Sequence, residues 1–440
     1  MGNTRSISPH TAALIAADKA HSWHPFTQMR DWCAPDHEPL VLVSGSGALL
    51  RDSEGREYID GNSSIWTNLH GHNHPRINAA IREQLDRVAH TSFLGFTNEP
   101  ATRLAAELAA LIPGGKLPRV FLGDDGSTAI EVALKITAQY WQLVGQPQRT
   151  RFIAFHNAYH GDTMGASSLG GVSAFHSRFS AWQFPVTHIA SIEELESNLQ
   201  SEICDLKSTA AVIIEPLIQG AAGMRLWPRG LLAKLRAWCD ENGALLILDE
   251  VMTGFGRTGT MFACEQEGVV PDLLACAKGI TGGCLPLGAT LVRERIYEAF
   301  LGSYEEMKTL FYGHSYTGNQ LGCAAALANL AIFREENTLA SLQPKIARMT
   351  ALLGELKTHP NVREIRQCGF IAGIEIAQPG GTPFDWRAQT GARICHAARA
   401  YGLLTRPIRD TIVLMPPYCI SDAQLEHAVT AIRSAIGEVV

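Results

Sequence analysis

The sequence predicts an α/β fold with a mostly parallel sheet, followed by a smaller α+β unit, and three observations lead there. From about residue 61 to 330, short apolar runs alternate with helix-patterned stretches. Such alternation implies crossover connections between parallel strands. Two of these runs end in residues that carry chemistry: Ala244–Leu248 runs into Asp249-Glu250, and Asp272–Ala277 runs into Lys278. After about residue 335 the pattern changes, with helical stretches now flanking isolated strand-like runs.

Taken in order, the first sixty residues read as a polar, irregular arm and then a small β unit. That unit consists of Val41–Val43, Ala48–Asp52 and Glu57–Asp60, with Ser53–Arg56 as a turn. The central strands are expected at Arg119–Gly123, Arg151–Phe155, Ala211–Glu215, Ala244–Asp249, Leu273–Ala277 and Ala289–Val292. Helices fall between most of them, for example Gly230–Glu241. The last third carries helices at Leu339–Thr358, Asp385–Tyr401 and Ala423–Val440 around strands at Ile371–Ile376 and Thr411–Met415. The expected division is residues 1–60 for the arm and β unit, 61–330 for the large domain, and 331–440 for the small one.

With 440 residues, 46% hydrophobic and 18% charged, the chain has the make-up of an ordinary globular enzyme. A net charge of −6 without long single-sign runs argues against nucleic acid or an anionic membrane as the main partner. Ten cysteines, Cys33, Cys204, Cys276, Cys323 and Cys419 among them, include no Cys-x-x-Cys pair. They read as reduced, cytoplasmic thiols packed as small hydrophobes. The apolar stretch Thr11–Ala17 is too short for a signal peptide or a span. Met1–Ser6 fits the loose acylation pattern without a basic cluster beside it, and is read as chance.

Several constellations could carry chemistry. Lys278 and Asp249 are delivered to the carboxyl edge of the sheet, where ligands bind in open α/β folds. An amine beside a carboxylate there suggests a Schiff base to pyridoxal phosphate, with the acid keeping the pyridine nitrogen protonated. A lysine snorkelling at a strand end is the alternative. Gly123–Thr128 leads from a strand into a helix, so Gly126 and Ser127 either cradle a phosphate or reflect plain capping by Ser127. Tyr159 in Tyr159–Thr163 either stacks on a planar cofactor or is a buried loop residue.

Gly254–Gly259 matches Gly-x-Gly-x-x-Gly. However, Asp249–Thr253 separates it from its strand and no clear helix follows, so a nicotinamide site is disfavoured. His70–His74 has no partner at ligand spacing, and no metal is expected. Arg406, just before Thr411–Met415, either clamps a carboxylate or is a surface charge.

In sequence order, Gly126-Ser127, Tyr159-His160-Gly161, Glu215-Pro216, Asp249-Glu250 with Gly254–Gly259, and Lys278-Gly279 with Gly282-Gly283 resemble the class III aminotransferases. These are pyridoxal-phosphate enzymes of transferase fold type I, and the resemblance runs from about Trp23 to the final helix. Trp23–Met29, Tyr159–Thr163, Gln219–Met224 and Arg406 with Leu414–Tyr418 further resemble the branch that converts 8-amino-7-oxononanoate to 7,8-diaminononanoate in biotin synthesis.

The resemblance implies that Lys278 is the Schiff-base lysine and proton shuttle, that Asp249 pairs with the ring nitrogen, and that Gly126 and Ser127 hold the phosphate. It also implies that Tyr159 covers the ring, and that Phe26, Ile65, Trp66, Asp162, Gly313 and Arg406 line the substrate side, with Arg406 on the carboxylate. Ser315 would reach the phosphate of a neighbouring subunit, which implies a homodimer with shared active sites. Phe26 and Ile65 stand where the enterobacterial pattern has a tyrosine and a tryptophan. They look more like a Bacillus-type branch with lysine-using forms, so S-adenosylmethionine and lysine both stay open as amino donor.

Overall fold

A computed structural model describes residues 7–197 and 207–440. Met1–Ser6, with its acylation-like pattern, and Cys204 lie outside the described residues. The centre is a seven-stranded sheet in the order Arg119–Gly123, Gly288–Val292, Leu273–Cys276, Leu245–Asp249, Thr209–Ile214, Arg151–Phe155, Val186–Ile189. Only Gly288–Val292 runs against its neighbours. The Leu245–Asp249 and Thr209–Ile214 strands are buried along their whole length, as expected for a parallel sheet covered on both faces. Alternation sends Leu246, Leu248, Val212 and Ile214 into the cluster on one face. Ile247, Leu245, Ile213 and Ala211 go into the cluster on the other, against the Gly126–Leu143 helix.

Register then positions the chemistry. Leu248 lies opposite Ile214 and Asp249 opposite Ala275, so Glu215, Asp249 and Lys278 leave the sheet side by side at its carboxyl edge.

Towards the C-terminus, Val362–Cys368, Ile371–Ile376, Thr411–Leu414 and Pro407–Ile408 form an antiparallel sheet. A third sheet joins the early strands Leu42–Ser46, Leu49–Asp52 and Glu57–Asp60 to Leu403-Leu404, which pairs in parallel with the last of them. Among the described residues, no helix is long and apolar enough to cross a membrane.

Four expectations need correction. The N-terminal arm is not irregular, since Pro9–His21 is a helix and Met29–Trp32 a short one. Glu54 Oε1 accepts hydrogen bonds from both the Ser8 N–H and hydroxyl at that helix start, a tie to residues far along the chain. A seventh strand, Val186–Ile189, was not foreseen; its Val-Thr-His-Ile pattern is half-buried and too short to stand out. Asp385–Tyr401 is broken by Gln389 at φ 48°, and only Thr390–Ala397 is α-helical. Finally, Asp125 rather than Ser127 caps the Gly126–Leu143 helix.

At the opposite end of the sheet from the site, Asp272 is buried and receives Arg236 Nη1 at 2.8 Å, Arg295 Nη2 at 2.7 Å and the Leu246 N–H at 2.9 Å. Burial pushes this carboxyl up, but the Arg236 charge and these hydrogen bonds outweigh it and hold it below the usual aspartate value. A depressed carboxyl stabilises the fold above its unfolded pKa, and that stability is lost as pH falls through the folded one. Asp272→Asn is therefore expected to lower unfolding free energy at pH 7 by ~3–5 kcal/mol. In urea titrations the gap to the parent should close below about pH 4. An equal gap at all pH values would refute the assignment.

Candidate active site

A cavity of ≈ 730 Å³ opens at the carboxyl edge of the sheet, within the range of small-molecule sites. Lys278 stands on its wall two residues beyond the Leu273–Cys276 strand, at φ 25°. Its Nζ lies 5.2 Å from the centre of the Trp66 ring. Burial lowers the amine's pKa from the ordinary lysine value, while the charges of Asp249 and Glu215 oppose that shift.

Asp249 is nearly inaccessible. Its Oδ2 lies 2.7 Å from His160 Nδ1, and its Oδ1 accepts the Val251 N–H at 3.0 Å. The other ring nitrogen of His160 is buried, with no hydrogen-bond partner among the described residues. Glu215 accepts the N–H groups of Gly220 at 2.9 Å and Tyr159 at 3.2 Å. Burial pushes it up to about 7, with the neighbouring Asp249 charge adding to the rise against His160.

Across the cavity, the Gly126–Leu143 helix begins with a capping box. The Thr128 N–H goes to Asp125 Oδ1 at 2.8 Å and the Asp125 N–H to Thr128 Oγ1 at 2.9 Å. The Gly126 and Ser127 N–H groups are not used by the box, and both residues line the cavity. Their partial positive charge suits an anion. Chain segments close in tightly here. A Cβ on Gly161, which sits at φ 123°, would come within 2.3 Å of Ser127 Oγ, and one on Gly126 within 2.5 Å of Val251 Cγ1.

Tyr159 donates its hydroxyl to Asp162 Oδ2 at 2.6 Å. Burial raises the tyrosine's pKa, and Asp162 adds to the rise. Burial also pushes the Asp162 carboxyl up, but His176 and Tyr159 hold it below the ordinary value.

Seven of the residues singled out from sequence thus share one cavity: Lys278, Asp249, Tyr159, Gly126, Ser127, Trp66 and Asp162. The other five lie outside its lining. Phe26 is exposed, yet meets Phe175 edge-on at 5.4 Å, and Phe175 in turn meets Tyr159 at 6.0 Å. Ile65 is exposed beside Trp66, in a turn where Ser64 and Trp66 take positive φ. Gly313 and Ser315 lie on an exposed loop, where the Ser315 carbonyl accepts from His90. Arg406 is exposed, and its carbonyl accepts the Val413 N–H.

His160 and Glu215 also line the cavity, and the motifs that contain them do not show which residues they meet. The His160–Asp249 and Glu215–Tyr159 pairs span 89 and 56 positions, and no local spacing announces them. The glycine run Gly254–Gly259 makes a turn followed only by the short 3₁₀ segment Ala263–Glu267, which is not the strand-to-helix geometry of a dinucleotide site. In the histidine run, His70 bonds Asn329 at 2.7 Å and His72 bonds Asp60 at 2.9 Å.

The lowered Lys278 pKa predicts selective chemistry. With any bound aldehyde first removed by hydroxylamine, glyoxylate with cyanoborohydride at pH 7 is expected to label Lys278 ahead of the exposed lysines, as read by peptide mass spectrometry. Random labelling would contradict it.

The class-III aminotransferase family model matches residues 33–436. The chain is 49% identical to the adenosylmethionine-8-amino-7-oxononanoate aminotransferase of Nitratidesulfovibrio vulgaris, over 97% of this chain and 82% of that one. Its structure is similar to that of the adenosylmethionine-8-amino-7-oxononanoate aminotransferase of Methanocaldococcus jannaschii, with TM-score 0.94 and 39% identity over 97% and 99% of the two chains. It is also similar to an (S)-enantioselective omega-transaminase of Thermomicrobium roseum, with TM-score 0.92 and 34% identity over 98% and 99%.

Proposed function

The chain belongs to the class III aminotransferases and its cofactor is pyridoxal phosphate, and from that premise we propose that it converts 8-amino-7-oxononanoate to 7,8-diaminononanoate in biotin synthesis. The observation that carries this reading is Asp162, a carboxylate held at the cavity by Tyr159. It gives a counter-charge to an acceptor that bears an ammonium beside its ketone. The names of the Nitratidesulfovibrio vulgaris and Methanocaldococcus jannaschii relatives support the same substrate.

The donor set fits the cofactor. Lys278 supplies the amine, Asp249 a carboxylate for the ring nitrogen, and Gly126 and Ser127 the N–H groups and hydroxyl for the phosphate. The close approaches at Gly126 and Gly161 leave no room for a larger residue in that cradle. When bound, the cofactor supplies a carbonyl carbon for the amine and an electron sink.

The protein's own work is then proton transfer and positioning. Lys278 Nζ, whose pKa burial lowers, takes a proton from the donor carbon and returns one to the acceptor carbon. Asp249 keeps its negative charge in place through His160 and the Val251 N–H. Tyr159 walls one side and keeps water away. Arg406 binds the carboxylate of the acceptor, and Phe26, Ile65 and Trp66 border its chain.

Gly313 and Ser315, on their exposed loop, reach the cavity of a second copy, so the working unit is a cytoplasmic homodimer with shared sites. Residues 61–330 hold the cofactor, while 1–60 and 331–440 form the smaller body that carries Arg406.

The amino donor is S-adenosylmethionine or lysine. Phe26 lacks a phenol hydroxyl and Ile65 an aromatic face, each of which would cost a sulfonium donor about 0.5–2 kcal/mol. Loss of the yellow cofactor absorbance on adding each compound alone separates the two. Bleaching by lysine only makes lysine the donor. Bleaching by neither, together with bleaching by simple ω-amines, points to an amine transaminase and removes the biotin reading.

Arg406→Lys is expected to raise the KM for 8-amino-7-oxononanoate about tenfold or more, because a bidentate fork becomes a point charge. Cofactor absorbance should be unchanged. An unaltered KM takes Arg406 out of the site.

A further inference from the structure

The chain from Lys308 to Asn319 forms no helix or strand, yet it is strapped along the Gly126–Leu143 helix. Gln139 Nε2 donates to the Lys308 and Thr309 carbonyls at 3.2 and 3.0 Å, and Lys135 Nζ stands 5.0 Å from the centre of the Tyr312 ring. Lys135 and Gln139 are four residues apart and so share one face of that helix. From Leu310 to Ser315 the exposure alternates. Leu310, Tyr312 and His314 are partly buried, while Phe311, Gly313 and Ser315 are exposed. That is the period of an extended chain with one side held down.

Tyr312 and His314 build the held side. Tyr312 packs against the core cluster on that face of the sheet, with the Phe121 ring 6.2 Å away. Its hydroxyl lies 2.8 Å from His314 Nε2, and the two rings meet edge-on at 5.0 Å. The His314 N–H donates to Thr317 Oγ1 at 2.9 Å, and the Thr317 N–H returns to the His314 carbonyl at 3.1 Å. His314 Nδ1 also comes within 3.0 Å of Asp124 Oδ2, but out of line for a hydrogen bond. Asp124 precedes the phosphate cradle of the same chain and does not line its cavity.

We propose that Tyr312 and His314 are positioning residues that act in trans: they fix this strap on its own helix, and so set where Ser315 stands in the cavity of a second copy and how tightly that copy holds its cofactor phosphate. The inference rests on the reading of Ser315 as a residue shared between two copies.

A hydroxyl on an irregular strap must be ordered before it can bond an anion, and that ordering costs entropy. The clamp imposes the order within the chain, ahead of association. Because exposure alternates, holding Tyr312 and His314 down turns Gly313 and Ser315 outward together. A change at His314 therefore falls on the cavity of the other copy. The rival is action in cis, through Asp124 on the phosphate cradle of the same chain. The two differ in which site of a dimer weakens.

The test uses full-length chains with two different affinity tags, purified as mixed pairs, and reads cofactor binding directly. Lys278→Ala silences one site, so borohydride fixes pyridoxal phosphate only at the lysine of the other chain. Mass spectrometry measures the fraction of that Lys278 peptide carrying the cofactor at graded pyridoxal phosphate. With His314→Ala on the Lys278→Ala chain, the remaining site receives the altered strap. Its half-saturating concentration should rise about tenfold, the size of a charge-assisted hydrogen bond. With His314→Ala on the lysine-bearing chain, the site receives an intact strap. The value should then stay within about twofold of the pair carrying Lys278→Ala alone. Tyr312→Phe, which removes only the hydroxyl, should act from the same chain as His314→Ala, and it decides the matter where His314→Ala does not assemble.

Ser315→Ala in the same two arrangements tests the shared-site reading. If the tagged chains do not pair, or if Ser315→Ala does not act selectively from the opposite chain, that reading fails and takes this proposal with it. If Ser315→Ala acts as expected but the strap variants act from the lysine-bearing chain, equally from both, or from neither, the clamp proposal alone is overturned.

Discussion

One amine and two carboxylates meet at the carboxyl edge of the central sheet, largely out of water, and much of the surrounding architecture answers to that meeting. Burying ionisable groups is costly unless each finds compensating partners. Here the main chain supplies them: Val251 for Asp249, and Gly220 and Tyr159 for Glu215. His160 adds its ring to Asp249. The same burial that makes the site expensive lowers the pKa of the Lys278 amine and pushes the Glu215 carboxyl up, so fold stability and reactivity are drawn from one desolvated volume. Glu250, next to Asp249, is turned the other way and is satisfied inside the fold by the N–H groups of Ala263 and Cys264.

The glycine run that follows has a packing role. Arg257, at its centre, is fully buried. It donates to the carbonyls of Pro416 and Asn68, each at 2.8 Å, and lies 4.9 Å from the Tyr418 ring centre. Tyr418 returns a hydrogen bond to the Phe255 carbonyl at 2.7 Å. A Cβ on Gly256 would stand 3.2 Å from that tyrosine's hydroxyl oxygen. The turn after the Asp249 strand is thereby clamped to the segment that follows the C-terminal sheet. Within the Gly-x-Gly-x-x-Gly spacing, the close packing at Gly254 and Gly256 leaves little room for a side chain.

Much was legible from sequence because it is local. A fully buried strand is a continuous apolar run, so the ends at Asp249 and Lys278 could be read directly, and Ile371–Ile376 coincides with its strand. Seven of the chosen residues reached one cavity because strand ends and the loops after them gather at one edge of a parallel sheet. The short Val186–Ile189 strand and the Pro9–His21 helix escaped notice: the first lacks an apolar run, and the second is secured by Glu54, far along the chain.

The sequence by itself determined the layered α/β architecture and the residues placed at its carboxyl edge, because hydrophobic periodicity and strand termini are properties of neighbouring residues. The tertiary structure alone decided which of those residues face one another. His160 meets Asp249 across 89 positions, and Glu215 holds two loops together. His176 is packed behind Asp162, and Arg406 and Ser315 lie outside the cavity lining of the single chain. Those relations depend on strand register and loop closure over long separations, where the energy lies in contacts that no short stretch of sequence contains.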